Sequence, residues 1–154
     1  MAPRAHACDL RKGRFSQPGQ IYLVTTVTEG RLPVFADFHI GRLAVESLRF
    51  CAGSGRADTF AFVIMPDHLH WLLSLGESHD LSAVVGGMKQ RTAYAVNTRL
   101  CRTGTALWKA GFHDRALRRE EDLEAVARYV VANPLRAGLV RRIGEYPLWD
   151  AAWL

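Results

Sequence analysis

Two histidines one residue apart, His68 and His70, follow a Pro66-Asp67 turn signal in the run Met65-Pro66-Asp67-His68-Leu69-His70-Trp71-Leu72-Leu73. Strand side chains alternate with period two, so both imidazoles project from one face with Cα atoms roughly 6.5 to 7 Å apart, close enough to share a metal ion. Leu69, Trp71, Leu73 and Leu75 take the other face. The strand therefore has a core side and a side fit for chemistry. An isolated His-x-His also describes two hydrogen-bonded surface histidines, and a metal centre needs a third protein ligand. Residues 71–73 supply none and Glu77 lies seven positions past His70, so any third ligand comes from far along the chain.

A second chemical group sits near the end of the sequence. Leu123, Val126, Ala127, Val130 and Val131 recur at helical spacing and form a buried stripe. At 100° per residue, Tyr129 lies roughly 120° from the centre of that stripe. Its hydroxyl is turned away from the core, and Asn133, four residues on, projects from the same side. Taken alone, Tyr129 is an amphipathic boundary residue with a wet hydroxyl.

The elements that position these groups alternate between α and β. Residues 20–28 read as a strand with Tyr22, Val24, Thr26 and Thr28 on one face. Asp37 can cap a helix from Phe38 to about Cys51. Residues 59–65 are a β-rich run, and Pro66-Asp67 pairs it antiparallel with the histidine strand. Asp80 starts a second long helix, running to about Cys101 across the unfavourable Gly86-Gly87. A short strand around residues 112–117 follows, and Arg119-Glu120-Glu121 opens a third helix that must stop near Asn133, before Pro134. The order β, α, β, β, α, β predicts an α+β ferredoxin-like sandwich: an antiparallel sheet with helices packed on one face, plus the C-terminal tyrosine-bearing helix.

With 154 residues, 49% hydrophobic and 23% charged, the chain reads as one domain able to bury a continuous core. We expect a core over residues 20–140, a basic N-terminal segment over 1–19 and an aromatic tail over 141–154. No apolar run approaches the roughly 20 residues of a membrane helix and the N-terminus lacks an apolar signal core, so a cytoplasmic protein with no membrane association is expected. Cys8, Cys51 and Cys101 are odd in number, widely spaced and form no C-x-x-C, so neither a disulfide framework nor a thiolate zinc site is indicated, and Cys51 and Cys101 read as packing residues. A net charge of +5 and a pI near 9.5 permit a polyanionic partner. Most of the basic residues fall into three groups, around residues 4–14, 89–102 and 115–142, which suit phosphate binding or an ordinary solvated face.

The histidine run, Leu107-Trp108 before Phe112, and Tyr129 four residues before Asn133-Pro134-Leu135-Arg136-Ala137-Gly138-Leu139-Val140 together closely resemble the single-tyrosine HUH transposases. Within that superfamily the chain is most similar to the REP-associated tyrosine transposases, over residues 20–140. The resemblance implies an enzyme: a metal-dependent endonuclease and strand transferase acting on single-stranded DNA. It implies His68 and His70 as the metal pair, Tyr129 as the nucleophile that forms a 5′-phosphotyrosine, and Asn133 as a polar third ligand. The implied cofactor is Mg2+ or Mn2+, which suits two imidazoles supplemented by oxygens. The implied partner is a single-stranded DNA with a hairpin at a palindromic repeat, bound by a monomer or a homodimer. Arg11, Lys12, Arg14, Lys89, Arg91 and Arg136 are the candidates to hold its phosphates. Related sequences often carry a His two residues after the tyrosine and an Arg just before the Phe, where this chain has Val131 and Gly111.

Two other readings compete. One is a domesticated DNA-hairpin-binding regulator that no longer cuts. The other is an RNA-binding ferredoxin-like module, since Phe60-Ala61-Phe62-Val63 resembles part of an RNA-recognition strand, although burial beneath the helices is the more natural role for Phe60 and Phe62.

Overall fold

The computed structural model describes residues 17–118 and 122–152. Five strands, β1 (Ile21–Val27), β2 (Ala57–Met65), β3 (His68–Leu75), β4 (His113–Ala116) and β5 (Trp149–Ala151), form a sheet in the order β4-β1-β3-β2-β5. Every pairing is antiparallel. Helix α1 (Phe38–Gly53) connects β1 to β2, and α2 (Leu81–Arg99) connects β3 to β4. Helix α3 (Leu123–Val131) and the single turn α4 (Asn133–Arg136) come next. The α+β ferredoxin-like order expected from the sequence is the one found.

Each long helix starts on an aspartate whose side chain satisfies otherwise orphaned amides. Asp37 accepts from His39 and Ile40, Asp80 from Ala83, and Asp122 from Glu124 and Ala125. The sequence suggested residues 119–121 as the opening of the third helix; these lie outside the described residues, and the cap is Asp122. Gly86 and Gly87 do not interrupt α2, because Val84, Val85, Met88 and Thr92 are buried on its inner face. Tertiary packing there outweighs the glycine penalty of about 1 kcal/mol per residue.

The sheet is covered on both faces. On one, Tyr22 and Val24 of β1 and Leu69, Trp71 and Leu73 of β3 pack with α1 and α2. The Trp71 indole is satisfied there by Thr59 Oγ1 at 2.9 Å. On the other, Ala61, Val63 and Met65 of β2 and Leu72 of β3 pack with Ala127, Val130 and Val131 of α3. The third helix thus sits opposite the first two, over an apolar patch supplied mainly by β2.

Two expectations are corrected. The aromatic tail does pack on the body, with the Tyr146 hydroxyl donating to the Ile64 carbonyl, but it also adds strand β5 at the edge of β2, which three residues without clear alternation did not announce. Cys51 is buried as expected, whereas Cys101 is exposed. It stands just past α2 with φ of 53°, in a chain-reversing position rather than a packing one. Among the described residues, no helix is long and apolar enough to cross a membrane.

Two glycines test this packing in opposite directions. A Cβ on Gly76 would sit 2.1 Å from the Gly55 carbonyl oxygen, backbone that cannot rotate away, so Gly76→Ala should lower stability by about 1–3 kcal/mol or more. A Cβ on Gly86 meets nothing within 4 Å, so Gly86→Ala should raise stability by up to about 1 kcal/mol. Urea unfolding midpoints of the two variants would check both signs.

Candidate active site

The β1–β3 ladder places His70 opposite Thr25 and His68 opposite Val27. Both imidazoles share the sheet face of Leu72, the face that carries α3. Their ring centroids are 5.0 Å apart and the planes nearly perpendicular. Each ring is held through Nδ1: that of His68 donates to Asp67 Oδ1 at 2.7 Å, and that of His70 lies 2.8 Å from Thr25 Oγ1. Asp67 is itself bound by Arg31 at 3.3 Å. Anchoring one ring nitrogen to a carboxylate or hydroxyl leaves Nε2 as the outward donor, the arrangement that orients metal-binding histidines.

Electrostatics favour the neutral donor form at His70. Burial, followed by the neighbouring His68 and then Arg136, pushes the His70 pKa down to about 4, so its ring nitrogen keeps a lone pair at ordinary pH. Partial burial raises the Asp67 carboxyl, but hydrogen bonds from His68 and Arg31, together with their charges, outweigh it and hold the group below its usual range.

Tyr129 projects from α3 on this same side of the sheet and is 61% exposed, as its angular position on the helix predicted. The Arg136 guanidinium lies 3.8 Å above the Tyr129 ring, and its charge also reaches His70. Arg136 thus contacts the phenol ring and lies within electrostatic range of His70. Asn133 donates its Nδ2 to the Val130 carbonyl at 2.9 Å, a bond that uses the amide nitrogen and leaves Oδ1, the atom a cation would take. Among the described residues no third His, Cys, Asp or Glu joins the pair. Imidazole nitrogens supplemented by oxygen donors are a set that suits a divalent cation with open coordination positions.

The other sequence candidates fall in different places. Lys89 Nζ donates to the carbonyls of Lys109 and Gly111 and so braces the loop before β4. Arg91 stacks 3.6 Å over Phe50 in the α1–α2 layer, away from the histidine face. Arg11, Lys12 and Arg14 lie outside the described residues. Val131 is fully buried, and Gly111 has φ of 80°, a backbone position strained for an arginine. Thr25, Asp67 and Arg31 were not singled out from the sequence as parts of the site. The adjacency of Asp67 to His68 was a usable signal; the role of Thr25 depends on cross-strand register.

The structure thus combines an antiparallel sheet bearing an imidazole pair with an exposed phenol on the helix that covers the same sheet face. The chain matches the family model for IS200-like transposases over residues 17–133, and it belongs to that family. It is 24% identical over 139 residues to a Haemophilus influenzae protein provisionally named a REP-associated tyrosine transposase, covering 84% of this chain and 78% of the relative. It is 25% identical over 88 residues to the REP-associated tyrosine transposase of Escherichia coli, covering 56% of this chain and 50% of that protein. Among solved structures it is similar to a REP-associated tyrosine transposase bound to a REP hairpin, with a TM-score of 0.70 and 19% identity over 88% of this chain and 79% of that one. A second similar structure, from Deinococcus radiodurans R1 and provisionally named a transposase, has a TM-score of 0.56 and 20% identity over 77% of this chain and 94% of that one. The resemblance read from the sequence stands.

The His70 shift has a consequence for stability. With a folded pKa of about 4 against an unfolded value of about 6.5, the unfolded chain binds more protons between those limits, so stability falls as pH drops through that window. For the metal-free protein in chelator the loss should reach about 3 kcal/mol. His70→Asn should flatten the decline, as read by urea unfolding at pH 7, 5.5 and 4. The Asp67 contribution is present above the ordinary carboxylate range and disappears only at lower pH, which separates the two.

Proposed function

We propose that this protein cleaves and rejoins single-stranded DNA through Tyr129, at a phosphate seated beside His68 and His70. What supports the reading is that the helix bearing Tyr129 covers the sheet face that carries His68 and His70, with Arg136 stacked on the phenol ring and within electrostatic range of His70. His68 and His70 would hold a magnesium or manganese ion through Nε2, with Asn133 Oδ1 as the third protein donor. Such an ion, when bound, polarises the scissile phosphate and absorbs charge developing on its nonbridging oxygens.

The chain's own groups account for the remaining chemistry. A phenol of pKa about 10 is only on the order of a thousandth ionised at neutral pH, so attack requires loss of its proton as the new bond forms. Tyr129 Oη bonds to phosphorus and the bond to the 3′ oxygen breaks, leaving a 5′-phosphotyrosine and a free 3′-hydroxyl once that oxygen takes up a proton. One phosphodiester replaces another, so rejoining is the reverse attack by a 3′-hydroxyl and needs no nucleotide triphosphate. Arg136, at the phenol ring, is placed to meet the phosphate charge. A hairpin flanked by single-stranded DNA is the substrate of choice, supported by the similar structure solved with a REP hairpin.

The rival readings have less behind them. An RNA-recognition module needs neighbouring aromatics on an open sheet face. Here Phe62 packs toward α1 and α2 and Phe60 toward the α3 side, where α3 covers the β2 end of the sheet. A non-cutting hairpin binder would have no use for an exposed phenol on the helix that covers the histidine face. Incubation of the protein with hairpin-bearing single-stranded DNA and Mn2+, followed by denaturing electrophoresis, should give a covalent adduct. Tyr129→Phe should abolish the adduct while retaining hairpin affinity, and His68→Ala, His70→Ala or chelator should suppress it. Retention of the adduct by Tyr129→Phe would overturn the assignment, and hairpin binding by the parent with no adduct would establish the non-cutting regulator instead.

A further inference from the structure

Beside the histidine pair, one strand over, the same sheet face opens into a cleft of about 520 Å3, within the roughly 300 to 1,000 Å3 of clefts that accept small organic ligands. Its floor is Thr25 and Val27, the two residues directly opposite His70 and His68 in the β1–β3 ladder. Neighbouring strands are about 4.8 Å apart, so the cleft begins a single strand spacing from the imidazoles. One wall is the turn carrying Glu29 and Arg31, and the other is the loop carrying Lys109 together with His113 at the start of β4.

Both walls are built rather than loose. The Lys109 amide donates to the Val27 carbonyl and the Glu29 amide to the Leu107 carbonyl. Lys89 binds the carbonyls of Lys109 and Gly111 from beneath, and the Trp108 indole donates to the Lys89 carbonyl while its ring packs on Phe35 at 5.3 Å. Gly30 and Arg31 take consecutive left-handed conformations, with φ of 63° and 56°. This costs a non-glycine residue energy, and it delivers the Arg31 guanidinium to Asp67, the carboxylate that holds His68. His113 stands opposite Thr25 on β4. The cleft thus shares the hydrogen-bond supports of both imidazoles.

Its free groups are those a nucleotide needs. Glu29, Lys109 and His113 are exposed, and none engages its side chain with another described residue, so a carboxylate, an ammonium and an imidazole face the same space. We propose that this cleft seats the nucleotide next to the scissile phosphate, with Lys109 on its phosphate and Glu29 accepting from the exocyclic amino group of its base. The site rests on the single-stranded DNA reading above and adds a base-selective subsite to it. Adenine, cytosine and guanine carry such an amino group and thymine does not, so thymine is the base disfavoured there. Because Arg31 belongs both to the cleft wall and to the Asp67–His68 chain, occupancy of the subsite also bears on how His68 is held.

The test uses the full chain carrying Tyr129→Phe, which binds without covalent capture, and a hairpin-bearing single-stranded DNA whose cleavage position has been mapped with the parent. Each nucleotide flanking that position is replaced in turn by thymine or by an abasic unit. One flanking position should show weaker binding with either replacement. Lys109→Glu should weaken binding and lower the slope of log affinity against log salt by about one or more. Glu29→Gln should reduce the discrimination against thymine, worth about fivefold or more, at that position alone. Arg91→Glu, an equal charge change in the opposite layer, is the control for general electrostatics and should do less than Lys109→Glu. The proposal fails if Lys109→Glu weakens binding no more than Arg91→Glu does, or if Glu29→Gln leaves base preference unchanged at every flanking position. Absence of any adduct with the parent would instead overturn the strand-transfer reading, so the two failures are distinct. Unfolding midpoints of the variants, all altered on exposed side chains, should match the parent.

Discussion

The pairing of Thr25 with His70 across the β1–β3 ladder is the constraint on which the site depends. A slip of one residue would carry both imidazoles into the core under α1 and α2 and turn Leu69, Trp71 and Leu73 outward, because side chains alternate strictly between faces. Those three residues are fully buried, and the Trp71 indole has its own hydrogen bond to Thr59. Each large apolar side chain contributes about 1.5–3 kcal/mol by being buried. The apolar face of β3 thus enforces the register that the polar face uses.

The opposite side of the problem is how a residue 59 positions past His70 in the sequence comes to lie on the same side of the sheet. Helix α3 is nine residues long, too short to persist alone in water, so its position is set by where Ala127, Val130 and Val131 find cover. They find it on Ala61, Val63, Met65 and Leu72. Tyr129, at the exposed flank of that short helix, then meets Arg136 from the turn that follows, and Pro134, the second residue of that turn, does not disturb it because an early helical position needs no amide donor.

Local rules made much of this legible. Alternation identified the histidine face, aspartates marked the starts of α1 and α2, and helical spacing turned Tyr129 outward. What the sequence alone left hidden was set by long-range partners. The stripe on α3 names its buried residues but not which sheet face receives them. Thr25 is one of two threonines in β1, and only register makes it the partner of His70. Lys89 resembles a phosphate binder until the loop around Gly111 folds over it, and Cys101 resembles a core residue until its backbone conformation places it in solvent. The expected roles of Arg11, Lys12 and Arg14 concern residues outside those the structure describes.

The strand at the end of the chain matters beyond its three residues. The Ile64 amide donates to the Leu148 carbonyl and the Ala152 amide to the Phe60 carbonyl, so the tail occupies the rim of β2, a nine-residue strand of mostly apolar side chains. At the far rim, β4 is only four residues long and bears Asp114 and Arg115, a short charged border that discourages pairing between molecules. A chain cut before Leu148 would retain its histidines and tyrosine but expose a long adhesive ribbon, and self-association rather than lost chemistry would be the first symptom of its shortening.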